Sequence, residues 1–373
     1  MFRVSLMLLA LLLASCSPVA QQQVAQQIAD TENQLSPRND LWRIHFIDIG
    51  QGLAVLHEFP CGAVLIDTGG EQDSSCDSDR ALTQYLDAFF ARRKDLQNTL
   101  SLLVLTHPHI DHTRGVPKVL ERYKVLHAID DGMDQGSGGA PQGELHSWAA
   151  GKPAGTYYAV ELKNIPDANG LTNDVIDPLR CQDIDPKIRA LWGHVDQDPG
   201  WPGLSYGKTP FQNANNHSVV LRIDFGKASG LFTGDLEEPA IKDLLRRSAG
   251  NPILDVDVYQ VGHHGSINGT TPEFVQAMSP QIAVFSASSA SRHEEWSGWQ
   301  HGHPRKEIVA MLQAGIERRR RPIDVLVGVH KQTFVPGHID KAVYSTGWDG
   351  AVVIEAQADG RMRVVTSGRK SEK

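Results

Sequence analysis

The stretch Thr106–Val116, "THPHIDHTRGV", places His107, His109, Asp111 and His112 within six residues. It follows the apolar run "LSLLVL" (100–105), which reads as a buried strand. A strand end is where a rigid scaffold delivers polar side chains to a loop, and an imidazole supplies one neutral nitrogen as a metal donor. His107 and His109, alternating at the strand end, can turn toward one ion. Asp111 and His112, in the following turn, can reach a second one.

Working outward, the 16 histidines of the chain are unevenly placed: eight fall at 107, 109 and 112, at 263 and 264, and at 293, 301 and 303. "LFTGDLEE" ends an apolar run at Asp235, a carboxylate able to bridge two cations, and "VGHHGS" ends another at His263 and His264. "NANNHSVVL" sets His217 at the start of the strand whose hairpin partner runs to Asp235. His217 is open between a metal ligand and a capping or core histidine. No Walker loop, nucleophile elbow or HExxH pattern offers a different chemistry.

The 373 residues carry a formal charge of −8. An acidic chain has no general attraction for nucleic acid, so a polyanion substrate needs a local basic patch. The basic run is Arg318–Arg321, read as the solvated C-terminal end of a helix. The N-terminus "MFRVSLMLLALLLASCS" has one early cation and an apolar run too short to span a bilayer, as in a secretion signal. Residues 17–40 are Gln-rich and polar, as expected of a tether. Apart from Cys16, the cysteines are Cys61, Cys76 and Cys181, so an exported chain could form one disulfide, its pairing open.

From residue 41 onward, strands and helices are mixed in both halves, predicting a layered α/β (α+β) domain over 41–373 with no internal linker. Helices are expected at 79–93, 115–123, 238–249, 271–278 and 305–317. Gly/Pro-rich segments at 130–143 and 196–210 read as loops framing a substrate opening.

At this point the chain resembles a known family. "HPHIDH" matches the H-x-H-x-D-H signature of the metallo-β-lactamase superfamily. "FIDIGQG" (46–52), "VLIDTGG" (64–70), "NHSVVL" (216–221), "FTGDLEE" (232–238), "VGHHGS" (261–266) and "TGWDGAVVI" (346–354) resemble, in order, the metallo-hydrolase domain of the ComEC competence proteins. The likeness runs from about Arg43 to Arg369 and implies an αββα four-layer sandwich with metals along one edge of the two sheets. It implies two divalent ions. His107 and His109 would bind the first, with His217 where many members have a further histidine. Asp111, His112 and His264 would bind the second, with Asp235 bridging. Asp111, His263 and Asp67 would serve catalysis, Asp67 by orienting the ligand loop. Glu237, Ser266, His303 and the loop "WSGWQHGHP" (296–304) would meet substrate. The chain departs from the ComEC pattern at His109, where Asp is usual, and at His217; more imidazole favours zinc over manganese. "LASC" (13–16) resembles a lipoprotein lipobox, implying cleavage before Cys16, acylation of it, and an outer-membrane position facing the periplasm.

The expected activity is metal-dependent hydrolysis of a phosphodiester, nuclease-like, by a hydroxide held between two cations. The alternative is a β-lactamase or lactonase acting on a carbonyl. From another class comes a non-catalytic metal-binding envelope lipoprotein. The membrane, through Cys16, and the substrate are the expected partners.

Overall fold

Strand Gly62–Ile66 shows how the layers are made. Its side chains alternate between two cores: Val64 and Ile66 face one, Ala63 and Leu65 the other. A strand buried on both faces, reading as a continuous apolar run, belongs to a sheet covered on both sides. The computed structural model describes residues 31, 34–36, 38, 40–73, 76–196 and 210–368. The expected signal (1–15), the lipidated Cys16 and most of the tether lie outside the described residues, as does most of the loop at 196–210.

The first sheet has eight strands. These are β1 (Trp42–Phe46), β2 (Val55–Phe59), β3 (Gly62–Ile66), β4 (Thr99–Val104), β5 (Lys124–Asp130), β6 (Tyr157–Ala159), and the C-terminal pair β15 (Val352–Ala356) and β16 (Met362–Thr366). Their order is β16-β15-β1-β2-β3-β4-β5-β6, so β1 is flanked by β2 and by a strand from the far end of the chain, with Trp42 opposite Ala356. The second sheet is built from β7 (Lys187–Trp192), β8 (Val220–Phe225), β9 (Ala228–Phe232), β10 (Val258–Gln260), β11 (Ile282–Phe285) and β14 (Val343–Ser345), ordered β14-β11-β10-β9-β8-β7. A two-stranded ribbon, β12 (Arg319–His330) with β13 (Thr333–Lys341), stands apart from both.

Helices cover the outer faces. α1 (Ser78–Arg92), α2 (Val116–Arg122) and α3 (Gly139–Ala150) pack Leu82, Leu86, Phe89, Val119 and Leu145 against Leu65, Leu103 and Ala128 of the first sheet. α4 (Glu238–Arg247), α5 (Pro272–Met278) and α6 (Lys306–Gly315) bring Ile241, Leu244, Phe274, Met278, Ile308 and Leu312 to the other core. That core also holds the facing residues of both sheets, Phe46 and Val104 among them with Phe232 and Val284. The result is the expected order of helix, sheet, sheet and helix layers. Among the described residues no helix is long and apolar enough to cross a membrane.

Three local readings are corrected. The run Arg318–Arg321 is not a helix end: α6 stops at Gly315 and Arg319 already opens β12. There Arg320 is a largely buried strand residue, paired through both terminal nitrogens with Asp349 and lying over the Tyr344 ring at 4.2 Å. The 130–143 segment is a loop only to Gly138, because α3 begins at Gly139. Its glycines serve close packing: a Cβ on Gly138 would lie 2.2 Å from Thr113 Oγ1 and 2.5 Å from the His109 carbonyl carbon. The third, His217, belongs with the site. The disulfide joins Cys61, in the β2–β3 turn, to Cys181, and leaves Cys76 free.

Candidate metal centre

The parallel strands β3, β4 and β5 end on one side of the first sheet, and the loop after β4 carries the quoted stretch. His109 stands before a single helical turn, Ile110–Thr113, so Asp111 and His112 leave the same turn. From the second sheet, Asp235 follows β9 and His264 follows β10. His263 and His264 have φ of 49° and 53°, left-handed values that non-glycine residues rarely adopt. Two such residues in succession store strain at the place where the rings are aimed into the cleft.

Asp111, His112, Asp235 and His264 each offer one donor atom, and the four atoms lie within 4.8 Å of one another. His264 Nε2 is 3.3 Å from both Asp111 Oδ2 and Asp235 Oδ2, and 3.3 Å from His112 Nε2. Asp235 Oδ1 lies 3.2 Å from His112 Nε2, but it is buried and not aligned with any hydrogen-bond donor. An orphaned buried carboxylate oxygen beside two facing imidazole nitrogens suits a cation, because a cation satisfies all of them at once. The donor set, two imidazoles and two carboxylates, fits a divalent metal of the zinc or manganese kind.

The rings are held from behind. His112 Nδ1 donates to Asp67 Oδ2 at 2.7 Å, and His264 Nδ1 donates to the Ser286 carbonyl at 2.8 Å. Each bond leaves Nε2 facing the centre. Asp67 also accepts from the Thr106 amide and hydroxyl, both at 2.7 Å, so it fixes the start of the ligand loop as well as the ring. Burial works against charging His112 and His264, but the adjacent carboxylates outweigh it. Asp235 and Asp67 hold His112 well above the ordinary imidazole range, and Asp235 with Asp111 lifts His264 to about 10. Burial raises carboxylates too, yet these imidazoles hold Asp111 and Asp235 well below their usual value.

His107 and His109 lie beside this quartet. His107 Nε2 meets His109 Nδ1 at 3.0 Å, and the His107 and His112 rings are 4.2 Å apart. Burial, with His112 next, keeps His107 far below the ordinary imidazole value. Two neutral ring nitrogens facing each other leave a donor pair for a first ion next to the quartet.

His217 is not brought to either group. Its Nδ1 accepts from the Val195 amide at 3.0 Å, its Nε2 donates to the Phe211 carbonyl at 2.7 Å, and its ring stacks on His194. With both nitrogens engaged by backbone it ties Val195 to Phe211, so of its two readings the structural one is the one the geometry supports.

The expected substrate residues ring the centre. His263 is partly exposed; its Nδ1 donates to Asn268 Oδ1 at 3.0 Å, and its Nε2 is 3.8 Å from Asp235 Oδ2. Glu237 accepts from Asn215 Nδ2 at 2.7 Å and lies 3.4 Å from His263 Nδ1. The half-buried Ser266 closes the His263 turn through its amide, at 2.7 Å from the His263 carbonyl. His303 is buried, accepts from Gln51 Nε2 at 3.3 Å, and its ring centre is 6.0 Å from that of His263. Sequence reasoning missed Thr106 and Ser218, whose hydroxyls lie 3.1 and 3.3 Å from His107 Nδ1. Thr106 stands inside the quoted stretch, next to the histidine it supports.

The sequence pattern of the "Metallo-beta-lactamase superfamily" matches residues 47–288. ComE operon protein 3 of Bacillus subtilis is 27% identical over 278 residues, 72% of this chain and 30% of that protein. Recombination protein 2 of Haemophilus influenzae is 25% identical over 267 residues, 70% of this chain and 25% of that protein. The chain thus spans less than a third of the length of these relatives. Among solved structures, the metallo-beta-lactamase fold protein YhfI from Bacillus subtilis aligns with 65% of this chain and 85% of its own, at 11% identity and a TM-score of 0.33.

Proposed function

Because the chain belongs to the metallo-β-lactamase superfamily, we propose that its centre is that of a metal-dependent phosphodiesterase, nuclease-like in type and binding two divalent ions, zinc in preference to manganese. The observation that carries this reading is the convergence of Asp111 with the buried His112, Asp235 and His264, with the His107–His109 pair beside it. Divalent ions bound there would supply Lewis-acid polarisation of a phosphoryl oxygen and activation of water.

The chain's own residues do the rest. Asp67 and the Ser286 carbonyl fix which nitrogen of His112 and His264 faces the centre. Asp235 reaches His112 through one oxygen and His264 through the other, which makes it the hub of the quartet. His263 is partly exposed beside Asp235, within reach of a leaving-group oxygen, and Glu237 and Asn268 orient its ring. The name of one relative above, Recombination protein 2, points to work on nucleic acid, which supports a phosphodiester substrate.

The test is a metal count on the purified protein together with turnover of bis-p-nitrophenyl phosphate and single-stranded DNA under zinc and under manganese. Absence of both activities in a metal-loaded protein would sink the phosphodiesterase reading. The carbonyl-hydrolase alternative leaned on a third first-ion imidazole, and His217 is engaged elsewhere; nitrocefin turnover would restore it. A protein that takes up no metal in zinc would instead point to the non-catalytic envelope lipoprotein. Acylation at Cys16 and an outer-membrane position belong to the same proposal. Lipid labelling of the wild type and its loss in Cys16→Ala test them.

A further inference from the structure

The segment 286–305, which follows β11, carries a line of rings away from the metal centre. His303 lies 6.5 Å from the His264 ring with planes inclined by 25°, and His301 lies 5.6 Å from His303 at 27°. Trp296 follows, 6.3 Å from His301 at 42°. The two histidine pairs are stacked, and the Trp296 ring is tilted against the last of them. The line begins at a buried metal-ligand candidate and ends on an indole that is 69% exposed.

Trp296 is exposed by construction. Its φ is +67°, a left-handed value that is an outlier for a bulky aromatic residue and carries strain. The surrounding loop is pinned well enough to hold it. The Ser297 hydroxyl donates to the loop's own carbonyls, those of Arg292 and Glu294, and accepts from the Gln300 amide. The Gly298 amide donates to Ser288 Oγ at 2.7 Å, and Arg292 pairs with Glu71 and Asp73 across the cleft. On the outer side, the Gln332 amide in the β12–β13 turn donates to the Trp299 carbonyl at 2.9 Å. A water-exposed indole gains nothing from the core, so a strained backbone that presents it at the end of this line of rings is explained by a flat partner.

We propose that Trp296 and His301 form a stacking platform that selects nucleobase-bearing phosphodiesters, holding a base while a phosphate of the same molecule reaches the metal centre. The proposal rests on the phosphodiesterase reading and names the substrate class of that same site. A base offers a π face whatever its identity, so recognition is tolerant of sequence. In an acidic protein it also leans on stacking more than on charge. The dependence of binding on salt is therefore shallow, the slope for a single strand being about 0.7 per phosphate neutralised.

The test compares octathymidylate with the same strand made abasic, using the full chain, by calorimetric binding after chelation and by cleavage with zinc or manganese restored. The expected result is preferential binding and cleavage of the base-bearing strand. Trp296→Ala should reduce that preference about ten-fold, with Trp296→Phe retaining most of it. Trp296→Gly relieves the positive φ, so it should lose the preference without any fall in melting temperature, an outcome that a merely structural role would not give. Equal treatment of the two strands by the wild type, or an unchanged preference in Trp296→Ala, overturns the platform, while cleavage of both strands would leave the phosphodiesterase reading standing. Base-dependent binding without cleavage supports the platform and removes that reading; no binding and no cleavage overturns both. Thymidylyl-thymidine binding as tightly as the octamer would assign the platform to small nucleoside diesters. Affinity rising with length would assign it to single strands; either supports base stacking.

Discussion

Asp67 is fully buried, yet its place in the site is defined by three hydrogen bonds, to His112, the Thr106 amide and the Thr106 hydroxyl. It therefore acts on the metal through another residue. Asp67→Asn keeps the size but can no longer take a proton-bearing nitrogen from every side, so His112 loses its fixed orientation. Metal affinity should fall by about 10–100-fold, measured by competition with a chelator. His264 gives a second expectation. Its pKa in the folded, metal-free protein is lifted to about 10 by Asp235 and Asp111, against the opposing effect of burial. A folded value above the ordinary imidazole value of about 6.5 means that the ion pair stabilises fully below that pH and is lost as pH rises toward 10. Chelated protein should thus lose stability over this window, at up to about 1.4 kcal/mol per pH unit for one proton. The stability added by zinc should rise over the same window, because the metal displaces that proton. Denaturant midpoints at pH 6, 8 and 9, with zinc and with chelator, test both signs.

Among the elements, the Cys61–Cys181 bridge ties the β2–β3 turn to the segment leading into β7, across a sequence separation of 120. Closing so long a loop restricts the unfolded chain, and the double substitution Cys61→Ala/Cys181→Ala should cost about 2–5 kcal/mol in chemical denaturation. Cys76 should resist alkylation in the native protein and react on unfolding, since burial pushes its thiol up to about 11. The elements also show what was legible in the sequence. The helices over 78–92 and 238–247 were readable because one apolar stripe repeats at helical spacing, and the strand ends at His107, Asp235 and His263 because apolar runs stop there. The quartet was legible for the same reason. What was not legible depends on contacts distant in sequence. Arg320 looked solvated until Asp349 supplied its partner, and His217 stood open between ligand and structural histidine until Val195 and Phe211 took both its nitrogens. The short strands β6 and β7 and the ribbon β12–β13 lack a strong period of their own; pairing makes them strands.

For the whole molecule, the quartet draws Asp111 and His112 from the first sheet and Asp235 and His264 from the second. An ion held there joins the two halves across their shared edge. Zinc should slow amide exchange in the loops after β4, β9 and β10 together rather than one after another, as mass-spectrometric hydrogen exchange can show.

The pairing of β1 with β15 has a consequence in time. Trp42 lies opposite Ala356, so an interior strand of the first sheet waits for a partner made about 300 residues later. At about 5–20 residues per second, synthesis of that interval takes roughly 15–60 s. During that delay β1 presents an open apolar edge, the kind on which chains aggregate. A chain ending before Val352 should keep every metal-ligand candidate and still go to the pellet, whereas adding back a peptide covering 346–368 should recover soluble protein. The last strands of this chain would then act as the closing step of the fold, and the metal centre would become durable only after they arrive.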